Sequence, residues 1–330
     1  MCSSDLYGMT ANLIAAGGQC DYVFDESPVR IESFKKQFPD VAVASSLEQL
    51  LQDQNLHLII AAAVPSERGP LGLKVMDHGK HYFTDKCPFT TLDQLAAARQ
   101  KTVETDLKYM CCYSERLENE AAEFAVELIN SNVIGQVIQV IGTGPHRLNA
   151  PARPGWFFEK EKYGGIICDI GSHQAEQFLT YTASAEASVN MARVENFAHP
   201  EFPELEDFGE FSLTGSSGAS GYFRLDWFTP DGLRTWGDGR TFILGSNGYI
   251  ELRKYVDVAQ PEMRTNNVYI VTSSGEEHHC VTGKVGFPFF GKFILDCLDG
   301  TELAMTQQHC FMAAEICLQA QAQADQNRAA

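Results

Sequence analysis

The chain has 330 residues, of which 44% are hydrophobic and 21% charged, and its net charge is −18. That length leaves room for two domains with sizeable cores, and that acidity excludes nucleic acid as a partner, since no Lys/Arg-rich run offsets the repulsion. No apolar run reaches the roughly 18 residues of a membrane span, and no secretory signal is visible, so neither a membrane nor export is expected.

The ten cysteines follow no metal spacing and include no Cys-x-x-Cys pair. Reduced thiols in a cytoplasm are the simpler account, which makes a cytoplasmic location the expectation. His278-His279-Cys280 follows Glu276-Glu277, but no partner ligands recur at a usable spacing, so no metal is expected.

From the start, Leu6 to Ala16 reads as a helix ending at Gly17-Gly18, and Tyr22-Val23-Phe24 as a short strand closing on Asp25. Ser27 to Phe38 places apolar residues at helical spacing, Val41 to Val43 is strand-like, and Ser46 caps a further helix. Leu56 to Val64 is a near-continuous apolar run, the pattern of a parallel strand buried on both faces. It stops at Pro65, where a helix to His78 begins; a strand over His81 to Thr84 then runs into Asp85-Lys86-Cys87-Pro88. A helix from Leu92 to Thr105 and a strand from Lys108 to Tyr113 complete the series.

Strands alternating with helices through short links predict a doubly wound α/β sheet over residues 1–114. Such sheets bind ligands beyond the carboxyl ends of their strands. Asp25, Pro65-Ser66, Asp85-Lys86 and Tyr113-Ser114-Glu115-Arg116 all fall there. An acidic residue ending the second strand is where a dinucleotide fold holds ribose hydroxyls. Asp25 fits that place, and Glu26 beside it would repel a 2′-phosphate, favouring NAD over NADP.

Residues 115–330 follow a different pattern. An amphipathic helix carrying Leu117, Ala121, Phe124, Ala125 and Leu128 ends at Gly135, a strand covers Gln136 to Thr143, and a loop rich in proline and aromatics follows. Six strand-like runs between Ala187 and Val271, separated by turns such as Gly245-Ser246-Asn247-Gly248, predict a large, mostly antiparallel open sheet. A last helix over Met305 to Ala324 leaves a Gln/Ala tail that is expected to fray.

The stretch with the clearest chemistry is Gly164-Gly165-Ile166-Ile167-Cys168-Asp169-Ile170-Gly171-Ser172-His173. In the first turn of a helix, Asp169 and His173 share one face. A carboxylate beside an imidazole is suited to moving protons near neutral pH. Gly171 between them has no side chain, so a flat ligand could approach the backbone there.

A dinucleotide-type half, Asp85-Lys86 at a strand end, and Gly164-Gly165-x3-Asp169-x-Gly171-x-His173 opening the main helix of an open-sheet half together resemble the Gfo/Idh/MocA oxidoreductases. The resemblance runs from about Leu6 to the last helix. It implies an NAD(P)-dependent dehydrogenase that passes hydride between nicotinamide and a hydroxyl or carbonyl of a sugar, cyclitol or related polyol, with NAD as the favoured cofactor.

By the same resemblance Lys86, Asp169 and His173 are the catalytic residues. His173 exchanges the hydroxyl proton, Asp169 orients the substrate or the imidazole, and Lys86 polarises the oxygen on which charge develops. Asp25, Ala63, Val64, Pro65, Arg68, Asp85 and Lys86 are the candidate cofactor contacts. Tyr113, Arg116, His146, Arg147, Trp156 and Trp236 join Asp169 and His173 as candidate substrate contacts, since aromatic faces suit sugar rings and arginine suits carboxylates. Open sheets of this kind pair face to face, so a homodimer or homotetramer is expected.

Two departures from the family pattern stand out. Cys87 follows the lysine where the family has proline, with Asp85 in place of glutamate. More significantly, no strand and glycine-rich turn precede Tyr7: the five residues before Leu6 cannot hold a strand of about 5–6 residues and a phosphate-binding turn as well. The expectation is a chain lacking the family's first strand, with weakened NAD binding. An NAD-dependent glycosidase and a catalytically silent ligand-binding regulator are the alternative functions.

Overall fold

The computed structural model describes residues 4–260, 262 and 265–329. The chain divides into two compact units, Met1–Cys112 with Pro288–Gln307, and Tyr113–Phe287 with Gln308–Ala330. The change of unit at Cys112/Tyr113 lies close to the boundary expected after residue 114, but 288–307 belongs with the first unit. The reason is aromatic packing: the helix Pro288–Asp299 sets Phe289, Phe290 and Phe293 around Phe83, with ring centroids 5.8, 6.3 and 5.1 Å away.

In the first unit, helices over Ser4–Ala15, Pro28–Gln37, Leu47–Gln52, Pro65–Asp77 and Leu92–Thr105 alternate with parallel strands β1 (Tyr22–Val23), β2 (Ala42–Val43), β3 (Leu58–Ala61), β4 (His81–Asp85) and β5 (Tyr109–Cys112). Ser46 caps its helix as expected, its hydroxyl accepting from the Gln49 amide at 3.2 Å. The strands form two separate ladders, β1-β2 and β3-β4-β5, and among the described residues no strand pairing joins the two. The residues before Ser4, where the phosphate-binding turn was sought, lie outside the described residues.

This arrangement corrects one expectation. The Leu56–Val64 run is not a strand buried on both faces: β3 is four residues long, and only Ile59 in it is buried. It is an edge strand with β4 on one side, so its other edge has no ladder to exclude water. The buried strands are β4 and β5, where Tyr82 and Tyr109 meet edge to face at 5.0 Å.

The second unit is built on one eight-stranded sheet. Its strands are β6 (Val137–Pro145), β7 (Ala187–Glu195), β8 (Phe208–Gly215), β9 (Ser220–Asp226), β10 (Arg240–Gly245), β11 (Gly248–Arg253), β12 (Asn267–Thr272) and β13 (Gly275–Cys280), in the order 13-12-11-10-6-9-8-7. All neighbours are antiparallel except β6 and β9. The polar strand β13 has no apolar alternation and was not legible in sequence; it is held by its register with β12 and by His278, which stacks on Tyr269 at 4.4 Å.

One face of the sheet is covered by helices. Glycines on β6 permit the close approach: a Cβ on Gly142 would lie 2.3 Å from the Gln174 side chain, and one on Gly144 would lie 2.8 Å from Ile170. The other face leaves Ile141, Tyr222, Phe242, Leu244 and Tyr249 exposed around one another across β6, β9, β10 and β11. The final helix, Gln307–Ala329, does not fray where expected: Asn327 near its end donates to the Ala192 carbonyl at 3.2 Å. No helix among the described residues is long and apolar enough to cross a membrane.

Candidate active site

The glycine pair that opens the motif works through its backbone. Gly164 and Gly165 both have positive φ, 86° and 94°, and a Cβ on Gly165 would lie 2.3 Å from Gln321. That turn aims the next two amides at partners on other elements: Glu206 accepts from Ile166 N at 2.8 Å and Gln321 from Ile167 N at 3.1 Å. The helix start is thus capped from outside.

Asp169 closes the short helix Ile166–Asp169, and His173 sits in the first turn of the next, Gly171–Thr182. Ile170 joins them with φ −90° and ψ −40°, so the expected single turn is two helices with a helical junction. Both side chains are buried, with 8% of Asp169 and 2% of His173 exposed. Gly171 does not face a ligand, contrary to expectation: a Cβ there would lie 3.1 Å from Leu225 and Phe211, so its missing side chain serves packing on the sheet.

Around His173 lies a polar network absent from the sequence-level site. Glu115, in the helix Ser114–Leu117, accepts on Oε2 from Lys254 Nζ at 2.8 Å and from Gln174 Nε2 at 3.0 Å. Lys254 follows β11 and is 1% exposed; its ammonium also donates to Gln177 Oε1 at 3.0 Å, and Gln177 Nε2 donates to the His173 carbonyl at 2.9 Å. Burial pushes the Glu115 carboxyl up, but Lys254, His173 and His146 together outweigh it and hold it at about 2. It is therefore ionised at neutral pH.

The aromatic and arginine candidates are distributed unevenly. His146 follows β6, with its ring 4.4 Å from Trp236 and 5.4 Å from Trp227, and Trp236 meets Tyr255 at 4.5 Å. Trp236 is 42% exposed. Trp156, on the 3-10 turn Gly155–Phe158, is half-buried beside Phe157. Arg147 pins its loop instead, donating to the Pro230, Leu233 and Thr235 carbonyls. Arg153, which sequence reading passed over, lies over the rings of Phe157 and Trp227 at 4.4 and 5.0 Å; burial lowers its pKa and the Asp169 carboxylate opposes that.

Tyr113 and Arg116 require correction as substrate contacts. Tyr113 is fully buried and donates to the Cys310 carbonyl at 2.8 Å. Arg116 donates to Glu176 from Nε and Nη2 and to Glu123 at 2.8 Å from Nη1, inside the unit. From the strand-end run 113–116 both Glu115 and Arg116 reach the His173 helix, Glu115 at Gln174 and Arg116 at Glu176.

In the first unit Asp25 ends β1 and orders the next turn, accepting from Ser27 N at 2.8 Å, with Arg30 3.4 Å away. Val64 and Pro65 begin the helix after β3. Arg68 also departs from the expected role. It is buried, and its guanidinium donates to the Ala63 carbonyl at 2.8 Å, to Asp85 at 3.1 Å, to the Cys87 carbonyl at 3.2 Å and to the Lys86 carbonyl. It fastens the ends of β3 and β4 together. Asp85 Oδ1 accepts from the Lys86 amide at 2.7 Å, and the Lys86–Cys87 peptide is cis.

Among the described residues no three His, Cys, Asp or Glu side chains converge on a metal position.

Residues 123–251 match the model of the GFO/IDH/MocA C-terminal domain. A crystal structure of a protein from Erwinia carotovora atroseptica SCRI1043, assigned in name as an oxidoreductase, is 46% identical, covers 98% of this chain and 96% of its own, and superposes with a TM-score of 0.95. This chain is a Gfo/Idh/MocA oxidoreductase.

This Gfo/Idh/MocA chain is also 24% identical, over 146 residues, to an uncharacterized oxidoreductase of Schizosaccharomyces pombe, a match over 44% of this chain and 39% of that one; it thus spans about two fifths of that relative's length. A levoglucosan dehydrogenase solved with NADH and levoglucosan shares the fold, with a TM-score of 0.79 at 15% identity, covering 98% of this chain and 93% of the other.

Proposed function

We propose that this oxidoreductase is an NAD-dependent dehydrogenase acting on a sugar, cyclitol or related polyol. The observation that carries the reading is His173, buried on the helix behind the motif, in the field of the ionised Glu115 and one helical step from Asp169. A buried imidazole backed by a fixed negative charge is built to take and return a proton. The partly exposed Trp236 beside His146 suits a pyranose or polyol backbone. Neighbours of the same fold add support, having been solved with NADH and levoglucosan, with NADH and L-sorbose, and with NAD+ and L-tartaric acid.

The residues fit a nicotinamide dinucleotide where they can be tested. Asp25 stands at the carboxyl end of β1, the place for a ribose-binding carboxylate, and the exposed Glu26 disfavours a 2′-phosphate. The carboxyl ends of β3 and β4 are held in register by Arg68, which orders the backbone around Lys86. When bound, the dinucleotide supplies the hydride acceptor. For the protein's part, His173 takes the hydroxyl proton, Asp169 orients the hydroxyl or the ring, and Lys86 offers positive charge to the oxygen on which negative charge develops.

The uncovered sheet face supports assembly in this reading. Ile141, Tyr222, Phe242, Leu244 and Tyr249 form an apolar centre, and charged residues such as Arg224, Glu210 and Arg240 surround it. That is the composition of a face paired with a second copy.

The test is direct. The protein is incubated with NAD, and separately NADP, against a panel of aldoses, inositols, alditols and sugar acids, and NADH absorbance is followed. Turnover with NAD on at least one polyhydroxylated substrate is expected. Activity confined to NADP, or release of aglycone from an aryl glycoside without net NADH, would replace the reading.

A further inference from the structure

The Glu115–Lys254 pair has features that fold stability alone does not explain. Both side chains are buried, at 2% and 1% exposed, and the cost of desolvating two charges makes such pairs no better for stability than apolar residues of similar size. The carboxylate is also incompletely used: Oε2 accepts two hydrogen bonds, while Oε1 is buried without a hydrogen-bond partner among the described residues. A half-used carboxylate in the interior is costly unless its charge does something there.

The network leads to a single place. Gln174 and Gln177 each receive or give a hydrogen bond to the pair, and they flank His173 on its own helix. Gln177 closes the path by donating to the His173 carbonyl. The Glu115 charge also acts directly on the His173 imidazole and more widely on His146. Titratable groups linked to this network are Glu115, Lys254, His173 and His146, with Asp169 four residues before His173 in sequence.

We propose that Glu115, kept negative and in place by Lys254, is the positioning residue of His173: it fixes the helix turn that carries the ring and stabilises the imidazolium formed when His173 takes the substrate's hydroxyl proton. The proposal rests on reading His173 as the proton-handling residue. The balance is simple. The O–H proton moves to the imidazole, the hydride leaves carbon for the oxidised dinucleotide, and the cation that forms lies in the field of an anion already present. Lys254 belongs to this device through Glu115 and does not itself touch substrate. On return of the proton the pair reverts unchanged.

Three variants decide it. Glu115→Gln keeps the shape but strands the Lys254 charge; Glu115→Gln with Lys254→Met removes both charges and keeps the packing, so it folds even where the single variant does not. Glu115→Asp keeps the charge. Full-length protein labelled with 15N-histidine is examined by NMR at neutral pH, with thermal melting as a check on folding.

The His173 ring signals are expected to move toward the neutral form in the double variant and to stay near wild type in Glu115→Asp. With an active substrate in hand, the double variant is expected to lose on the order of 10–100-fold in kcat with little change in KM, the effect of removing a carboxylate behind a working imidazole. Wild-type His173 signals and wild-type kcat in a folded double variant would overturn the proposal and leave the pair as packing. The NMR result stands whatever the reaction proves to be, so failure of the dehydrogenase reading and failure of this inference are told apart.

Discussion

Arg68 donates to the Asp85 carboxylate at 3.1 Å from a position where both side chains are buried, and the same guanidinium reaches the backbone carbonyls of Ala63, Lys86 and Cys87. One side chain thus sets the spacing between the end of β3 and the end of β4, where the lysine of the strand-end motif stands. Arg68→Met would leave Asp85 buried and unpaired, at a cost of about 3–5 kcal/mol. The first unit should melt several degrees lower in calorimetry, and NAD affinity should fall more than kcat does in the surviving folded fraction. Unchanged melting together with lost kcat would move Arg68 from a clasp to a direct contact.

His173→Asn should remove proton transfer while keeping the volume of the ring partly filled. A loss of roughly 10²–10⁴-fold in kcat is expected, the usual contribution of a general base, with melting temperature nearly unchanged. Asp169→Asn should lose less. Steady-state kinetics on the best polyol substrate measures both, and a His173→Asn enzyme within a few-fold of wild type would sink the assignment.

Glu115 and Glu176 make the second unit acid-sensitive. Burial pushes each carboxyl up, but the opposing cations prevail and hold both at about 2: Lys254, His173 and His146 for the first, Arg116 and His309 for the second. Their folded values lie below the ordinary 4.5, so the unfolded chain binds protons first. Stability from these groups is complete above the ordinary carboxylate range and is lost as pH falls from 4.5 toward 2. Urea midpoints measured through that window should decline steeply, and Glu176→Gln should flatten part of the slope while lowering the midpoint at neutral pH.

The open sheet face can be tested without touching the site. Phe242 and Leu244 lie on β10 at the centre of the exposed apolar patch. Phe242→Asp combined with Leu244→Lys should weaken self-association more than tenfold, by about 1.4 kcal/mol or more. Sedimentation velocity should show a monomer with unchanged far-ultraviolet circular dichroism. An oligomer of wild-type size would place the interface elsewhere.

Much of this architecture was legible in the residues. The helix Leu92–Thr105 lies where its pattern put it, the strands β7 to β12 fall within a residue or two of their apolar alternation, and Ser46 caps as its chemistry requires. Local rules suffice for such elements, because helix period, strand alternation and capping depend on neighbours within a few residues. The motif from Gly164 to His173 was legible for the same reason, together with its likeness to a known family. Elements without a local signature were not: β13 is polar throughout, and Pro288–Asp299 shows its role only beside Phe83.

What the sequence determined by itself was the type of each half and the motif from Gly164 to His173 that places Asp169 and His173 at consecutive helix turns. What tertiary structure alone decided was which charges work together. Arg116 and Tyr113 looked available and are committed inside the unit, whereas Lys254, 139 residues beyond Glu115, becomes its partner at 2.8 Å. The physical reason is that burial and pairing set the state of a charge, and both depend on which distant segments the fold brings into one low-dielectric space.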